Sequence, residues 1–263
     1  MKKIVKTYIE FCDALKTVND GDVIELCPGE YFRAENTPYL KVEKNITITG
    51  QFSNPEATRL NCGLLLINHT LILKNLSLNY DSEEGNAVSL YRDAKFYGDN
   101  VVINHQTANK WNTIFAQDSF ISLKKSEILN CNKDNIPGLM LENSQVYAVD
   151  TALYFIAMKK STSYLKDCFV SYAVCLLNKS SLDFNDLTID SNNNEKFTDF
   201  YVDQQSTVEG DEINFIKTEP MIEVFDSQCE INDFESEFEN IHWHFDDNSN
   251  VLADGREPFN IED

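Results

Sequence analysis

A short pattern returns ten times along this chain and constrains its fold more than any other feature. The pattern is an apolar residue, three residues, a small residue, one residue and a second apolar residue. It reads Leu66–Thr70–Ile72, Leu90–Ala94–Phe96, Phe115–Ser119–Ile121 and Met140–Ser144–Val146. It continues as Met158–Thr162–Tyr164, Leu176–Ser180–Leu182, Val202–Ser206–Val208 and Phe245–Ser249–Val251. Looser copies are Val42–Ile46–Ile48 and the Ser227–Cys229 unit, where Glu223 stands in the first apolar place. The small residues serve as anchors at 46, 70, 94, 119, 144, 162, 180, 206, 227 and 249. The column two past the anchor is apolar throughout, and of the two columns before it only Phe225 is not polar.

Within each copy apolar residues alternate, as in Ile46-Thr47-Ile48, which is a strand period rather than a helical one. Two short strands flank a polar turn. A second turn near Asn75, Asp99, Asp150, Asp167, Asp186, Asp211 and Asp233 leads to a third strand, such as Leu76–Leu78 or Leu187–Ile189. Asn and Asp suit such turns because they tolerate left-handed backbone. Three strands per coil of about 22 residues describe a parallel β-helix. A leucine-rich repeat lacks support, because its Leu/Asn consensus is missing. Thr7 and Glu10 form a capping-box pattern, and Tyr8, Phe11, Cys12, Leu15 and Val18 share one helical face. The expectation is one all-β domain. Residues 1–22 form an amphipathic capping helix, 23–253 about ten coils, and 254–263 a tail.

The helix followed by Asp20–Tyr31 (DGDVIELCPGEY) and then Ile46-Thr47-Ile48-Thr49-Gly50 resembles the start of a pectin-lyase-like right-handed parallel β-helix. That superfamily holds polysaccharide lyases, glycoside hydrolases, adhesins and non-catalytic binding proteins, so the resemblance implies a fold and not a function. Its lyases use an Arg or Lys base with calcium-binding acids, and its polygalacturonase-like hydrolases use an Asp cluster. The four arginines here, Arg33, Arg59, Arg92 and Arg256, sit in no such motif, and no catalytic residue carries over.

Read from the residues alone, Asp93 and Asp118 each precede an anchor and should stack one coil apart. They are either a functional acid pair or solvated turn residues. His242 and His244 alternate with Trp243 and lie near Asp246, either as metal ligands or as outward residues of a last strand. No cofactor is expected, and no EF-hand or calcium nonapeptide is present. The coils from 144 to 180 lack the third-turn loop of their neighbours (79–86, 104–112, 129–137 and 190–199). A bare patch is therefore expected, with Tyr154 and Tyr172 stacked on its floor. Such an aromatic pair is a groove platform or an inward core ladder.

Charge is uneven. Residues 1–180 carry 20 acids and 19 bases, whereas 181–263 carry 23 acids and 3 bases, a net −20. A surface of that sign disfavours direct nucleic-acid binding and points to a basic protein partner. Glu209, Asp211, Glu212, Glu235, Glu237, Glu239, Asp246 and Asp247 are the candidate binding acids. The reading is a non-catalytic protein-binding β-helix, of an inhibitor or immunity type. The competing reading is a polysaccharide-acting lyase or hydrolase that takes carbohydrate. Seven cysteines without a C-x-x-C pair read as free thiols, and the N-terminus lacks a secretory apolar run, so a cytoplasmic setting is expected. No stretch reaches the 18 apolar residues of a membrane span.

Overall fold

The computed structural model describes residues 1–32, 39–106, 110–130, 136–191, 198–216, 219–234 and 241–260. They fall into two compact units, Met1–Met140 and Leu141–Asp263. Each is a parallel β-solenoid, with about nine turns in the two together against the ten copies of the pattern.

In the first unit, one sheet runs through Lys2–Val5, Val23–Leu26, Ile46–Gly50, Thr70–Tyr80, Lys95–His105 and Phe120–Lys124, each parallel to the last. A second sheet stacks Tyr39–Val42, Gly63–Ile67, Val88–Tyr91 and Ile114–Gln117. Helix α1 (Tyr8–Thr17) begins where expected. Thr7 Oγ1 accepts the Glu10 N–H at 3.2 Å, and Glu10 Oε2 accepts the Lys6 N–H at 2.7 Å. Phe11, Ala14 and Val18 are buried, while Tyr8, Cys12 and Leu15 are half-buried. The strand Lys2–Val5, ahead of the helix, was not foreseen within the cap.

The second unit repeats the scheme. Its first sheet holds Gln145–Val149, Thr162–Ser171, Ser181–Asp190, Thr207–Phe215, Gln228–Phe234 and Asn250–Ala253. Its second sheet holds Ile156–Lys159, Val174–Leu177, Phe200–Val202, Met221–Val224 and His242–Phe245.

The turns are made by one or two residues in left-handed conformation. Asn75, Asp150, Asp167, Asp186 and Asp233 bend their chains with φ of 50–59°, so the second and third strands of a coil read as one bent strand in Thr70–Tyr80 and Thr162–Ser171. In two coils the bend lies one residue later than expected, at Asn100 and Glu212 rather than Asp99 and Asp211. The first turn uses Asn68, Asp118, Asn143, Lys160 and Asp226 singly and Arg92-Asp93, Asn178-Lys179 and Gln204-Gln205 as pairs, all at positive φ. This backbone requirement accounts for the polar column before the anchor.

The inward column differs from expectation in three coils. The first unit stacks Ile46, Leu71, Phe96 and Ile121. The second stacks Val146, Ser163, Leu182, Val208, Cys229 and Val251. Ile48 is buried but pairs with Leu73, one pleat further on, whereas Ile72 and Tyr164 point outward and are half-buried. In Leu71-Ile72-Leu73 both faces are apolar, so alternation alone leaves the register open by one residue. At the other site the small Ser163 turns in, and Tyr164 stacks outside on Tyr147 with ring centroids 5.1 Å apart.

The corrected register exposes a serine ladder. The N–H of Ser144, Ser161, Ser180, Ser206 and Ser227 donates in turn to the hydroxyl of Ser161, Ser180, Ser206, Ser227 and Ser249, at 3.0–3.4 Å. The two short coils thus span 17 and 19 residues, and the next spans 26.

Candidate functional site: a groove on the second unit

The second sheet alternates inward and outward residues. Ile156, Met158, Val174, Leu176, Phe200, Val202, Ile222, Val224 and Trp243 are buried. The residues between them form one outward row: Ala157, Cys175, Tyr201, Glu223 and His244, each paired with the next. Val224 therefore takes the inward place in the Ser227 copy, and Glu223 faces out instead of standing in for an apolar residue.

A groove of about 300 Å³ opens along this row, lined by Phe155, Ala173, Cys175, Leu177, Thr198, Tyr201 and Glu223. Its floor is apolar and its wall carries one acid, Glu223. The Thr198 hydroxyl donates to Glu223 Oε2, and His244 Nδ1 lies 3.5 Å from Oε1. The His244 ring meets Phe225 edge-on at 5.0 Å. The Tyr201 hydroxyl donates to Asp203 Oδ2 at 3.0 Å. Burial pushes the Tyr201 phenol up to about 12, and the bond to Asp203 and the charges of Asp203 and Glu223 push the same way. Burial, then the Asp203 charge, raises the Cys175 thiol to about 11, so it is a protonated apolar surface and not a nucleophile near neutrality.

Tyr154 and Tyr172 stack as the coil spacing requires, with centroids 5.4 Å apart. They adjoin the groove through Phe155, whose ring lies 5.6 Å from that of Tyr172. Tyr172 is buried and Tyr154 half-buried. Burial raises both phenols, with Tyr172 adding to the rise at Tyr154. Tyr172 has φ of 106°, a region that bulky residues avoid, and its N–H is fixed to the Asp190 carbonyl at 2.8 Å. Backbone held this way concentrates at functional sites.

The other candidates are placed as follows. Asp93 and Asp118 stack one coil apart, the Asp93 N–H donating to the Asp118 carbonyl at 2.6 Å, and both are exposed. Glu209 is exposed on the outer face of the first sheet, in line with Asp183 and Glu230, which sequence reasoning did not single out. Asp211 sits two residues on and Glu212 in the bend, both exposed. Asp246 is half-buried at the first turn. Its burial would raise its carboxyl, but hydrogen bonds from Ser249, the Asp226 N–H and Asn248 outweigh this and lower it. Asp247 beside it is exposed. Among the described residues the candidate acids thus fall in two places, Glu209, Asp211 and Glu212 on the strand Thr207–Phe215 and Asp246 and Asp247 after the strand His242–Phe245. Glu235, Glu237 and Glu239 lie outside the described residues. His242 and His244 share the outward face, and among the described residues no group of three or more His, Cys, Asp or Glu is placed to hold a metal. The six described cysteines are free thiols. Among the described residues no helix is long and apolar enough to cross a membrane.

No protein-family model matches the chain, and no curated protein matches it in sequence. Among solved structures it is similar to the alginate lyase AlyGC, with a TM-score of 0.49 and 13% identity, covering 100% of this chain and 54% of that one. It is also similar to the Agl-KA catalytic domain, at 0.48 and 11%, covering 94% and 65%. A third similar structure is the pectin methylesterase from Aspergillus niger, at 0.41 and 10%, covering 97% and 86%. The chain spans about half of the first of these and just under two thirds of the second.

Proposed function

We propose that this chain is a binding protein whose second unit takes a basic protein partner. The observation that carries the reading is the groove: an apolar, aromatic-flanked cleft walled by Glu223, with Asp203 beside Tyr201, whose polar side (Thr198, Tyr201 and Glu223) comes from the 181–263 segment of net charge −20. The stacked row Asp183–Glu209–Glu230 adds to it. Like charges one strand apart, at about 4.8 Å, oppose folding, and a cationic surface laid over them turns that repulsion into attraction.

A second reading is a neutral glycan in the same groove. The aromatic faces of Tyr201 and Phe155 and the acceptors of Glu223 suit sugar rings and hydroxyls. The acids disfavour a polyuronate.

The test is anisotropy with a fluorescein-labelled synthetic peptide of alternating arginine and glycine, and with its glutamate counterpart. Binding of the basic peptide should be fast at 0.05 M salt and weaken steeply toward 1 M, as the Debye length shrinks to about 3 Å. Glu209→Lys with Glu230→Lys should weaken it at least fivefold. Glu83→Lys with Glu84→Lys, on the first unit, should change it less than twofold. Equal losses from the two pairs, or binding indifferent to salt, would overturn the reading. Salt-independent retention of a neutral oligosaccharide would favour the second.

A further inference from the structure

We infer that the groove on the second unit receives the guanidinium of an arginine side chain presented by the basic partner; this rests on the reading above and specifies it. The dimensions come first. About 300 Å³ is the small end of the range for ligand sites and matches one long side chain rather than a folded element. Ala173, Cys175 and Leu177 make an apolar floor, which accepts a methylene stem.

The polar end then selects the head group. Tyr201 is flanked by two carboxylates: Glu223, its neighbour across the sheet, and Asp203, which accepts its hydroxyl. A planar cation lying on the Tyr201 ring reaches both, and guanidinium has the fork of donors to do so, whereas an ammonium is a point charge. Glu223 is already oriented. Thr198 holds one oxygen and His244 stands beside the other, and each oxygen keeps an acceptor site. Burial accounts for most of the rise at the Cys175 and Tyr201 groups, and the negative charge of Asp203 adds to both. Glu223 is 21% exposed, so its attraction for a cation is less screened than that of the outer acids.

The experiment titrates Nα-acetyl-L-arginine amide into the full chain carrying ¹³C-tyrosine and follows the ring signals by NMR. The Tyr201 signals should move, with saturation in the millimolar range. Nα-acetyl-L-citrulline amide, uncharged and of nearly the same shape, should bind at least tenfold more weakly, and the lysine analogue several-fold more weakly. Glu223→Gln should weaken the arginine probe at least fivefold. Ala173→Met, which fills the floor and leaves every charge in place, should abolish the Tyr201 shift. Unchanged circular dichroism accompanies each variant, so that either one suffices if the other fails to fold. Equal binding of citrulline, or parent-like binding by the folded variants, overturns the inference. If the arginine–glycine peptide still binds with steep salt dependence while the small probe does not, the inference falls and the wider reading stands. Loss of both removes the two together.

Discussion

Replacing Ser206 by alanine tests the serine ladder at its most enclosed point. Ser206 is fully buried. Its hydroxyl accepts the Ser180 N–H at 3.2 Å and donates to the Asp203 carbonyl at 2.6 Å, while its own N–H goes on to Ser227. Alanine keeps that last bond and fits the space without strain. It strands a buried N–H, which costs about 1–3 kcal/mol, and removes one carbonyl partner near the surface, worth up to about 1.5 kcal/mol. The expected loss is about 2–4 kcal/mol, read as a fall in the urea midpoint at constant slope. Ser249→Ala is the comparison. Ser249 is half-exposed, and the bond it accepts from Ser227 is 3.4 Å long; because its hydroxyl also donates to the Asp246 carboxylate, the comparison is made in an Asp246→Ala background, where the loss should stay near 1 kcal/mol or below. A Ser206→Ala protein within about 0.5 kcal/mol of the parent would refute the ladder as a stabilising device. So would a Ser249→Ala loss in the Asp246→Ala background as large as that at Ser206.

Ile121→Ala, at a fully buried place in the stacked column, should cost about 2–5 kcal/mol by chemical denaturation, and Ile72→Ala, on the outer face, less than half as much. Gly210→Ala should destabilise by about 1–3 kcal/mol, because the new Cβ would sit 2.4 Å from the Phe184 ring; Phe184→Leu in the same chain should recover part of the loss. Burial raises the Cys229 thiol from 9.0 to about 12, so between those values the folded state keeps a proton that the unfolded state has lost. That contribution is complete below pH 9 and disappears as pH climbs toward 12, and Cys229→Ala should flatten the alkaline limb of a stability–pH curve. Glu209→Gln should raise the thermal midpoint at low salt by relieving repulsion from Asp183 and Glu230, with the gain shrinking in 1 M salt.

The fold was legible because a solenoid imposes one requirement on every coil, and ten weak copies average out local noise. The left-handed turn residues gave the surest signal, since positive φ restricts side-chain choice wherever it occurs. Register was weaker. Leu71-Ile72-Leu73 is apolar on both faces, and at Ser163-Tyr164 the small polar residue lies inside while the large aromatic lies outside, stacked on Tyr147. A pattern that ranks residues by hydrophobicity chooses wrongly there. The serine hydroxyls, satisfied by neighbouring coils, would have supplied the better frame. Shifting the anchor from Thr162 to Ser161 brings it into line with Ser144 and Ser180.

The same one-residue uncertainty hid most of the groove. Tyr154 and Tyr172 were found because coil length alone stacks them, ten residues past the original anchors. Tyr201 and Cys175 precede the first inward apolar residue of their copies, so a frame that recorded only inward columns passed over them. In the sequence Glu223 reads as a gap in such a column, although Val224 beside it satisfies the core. Once the inward place moves to Val224, Glu223 falls between Tyr201 and His244 on the outer row. There the Thr198 hydroxyl and the His244 ring order its carboxylate, and one corrected residue turns an irregularity of the repeat into the charged wall of the groove.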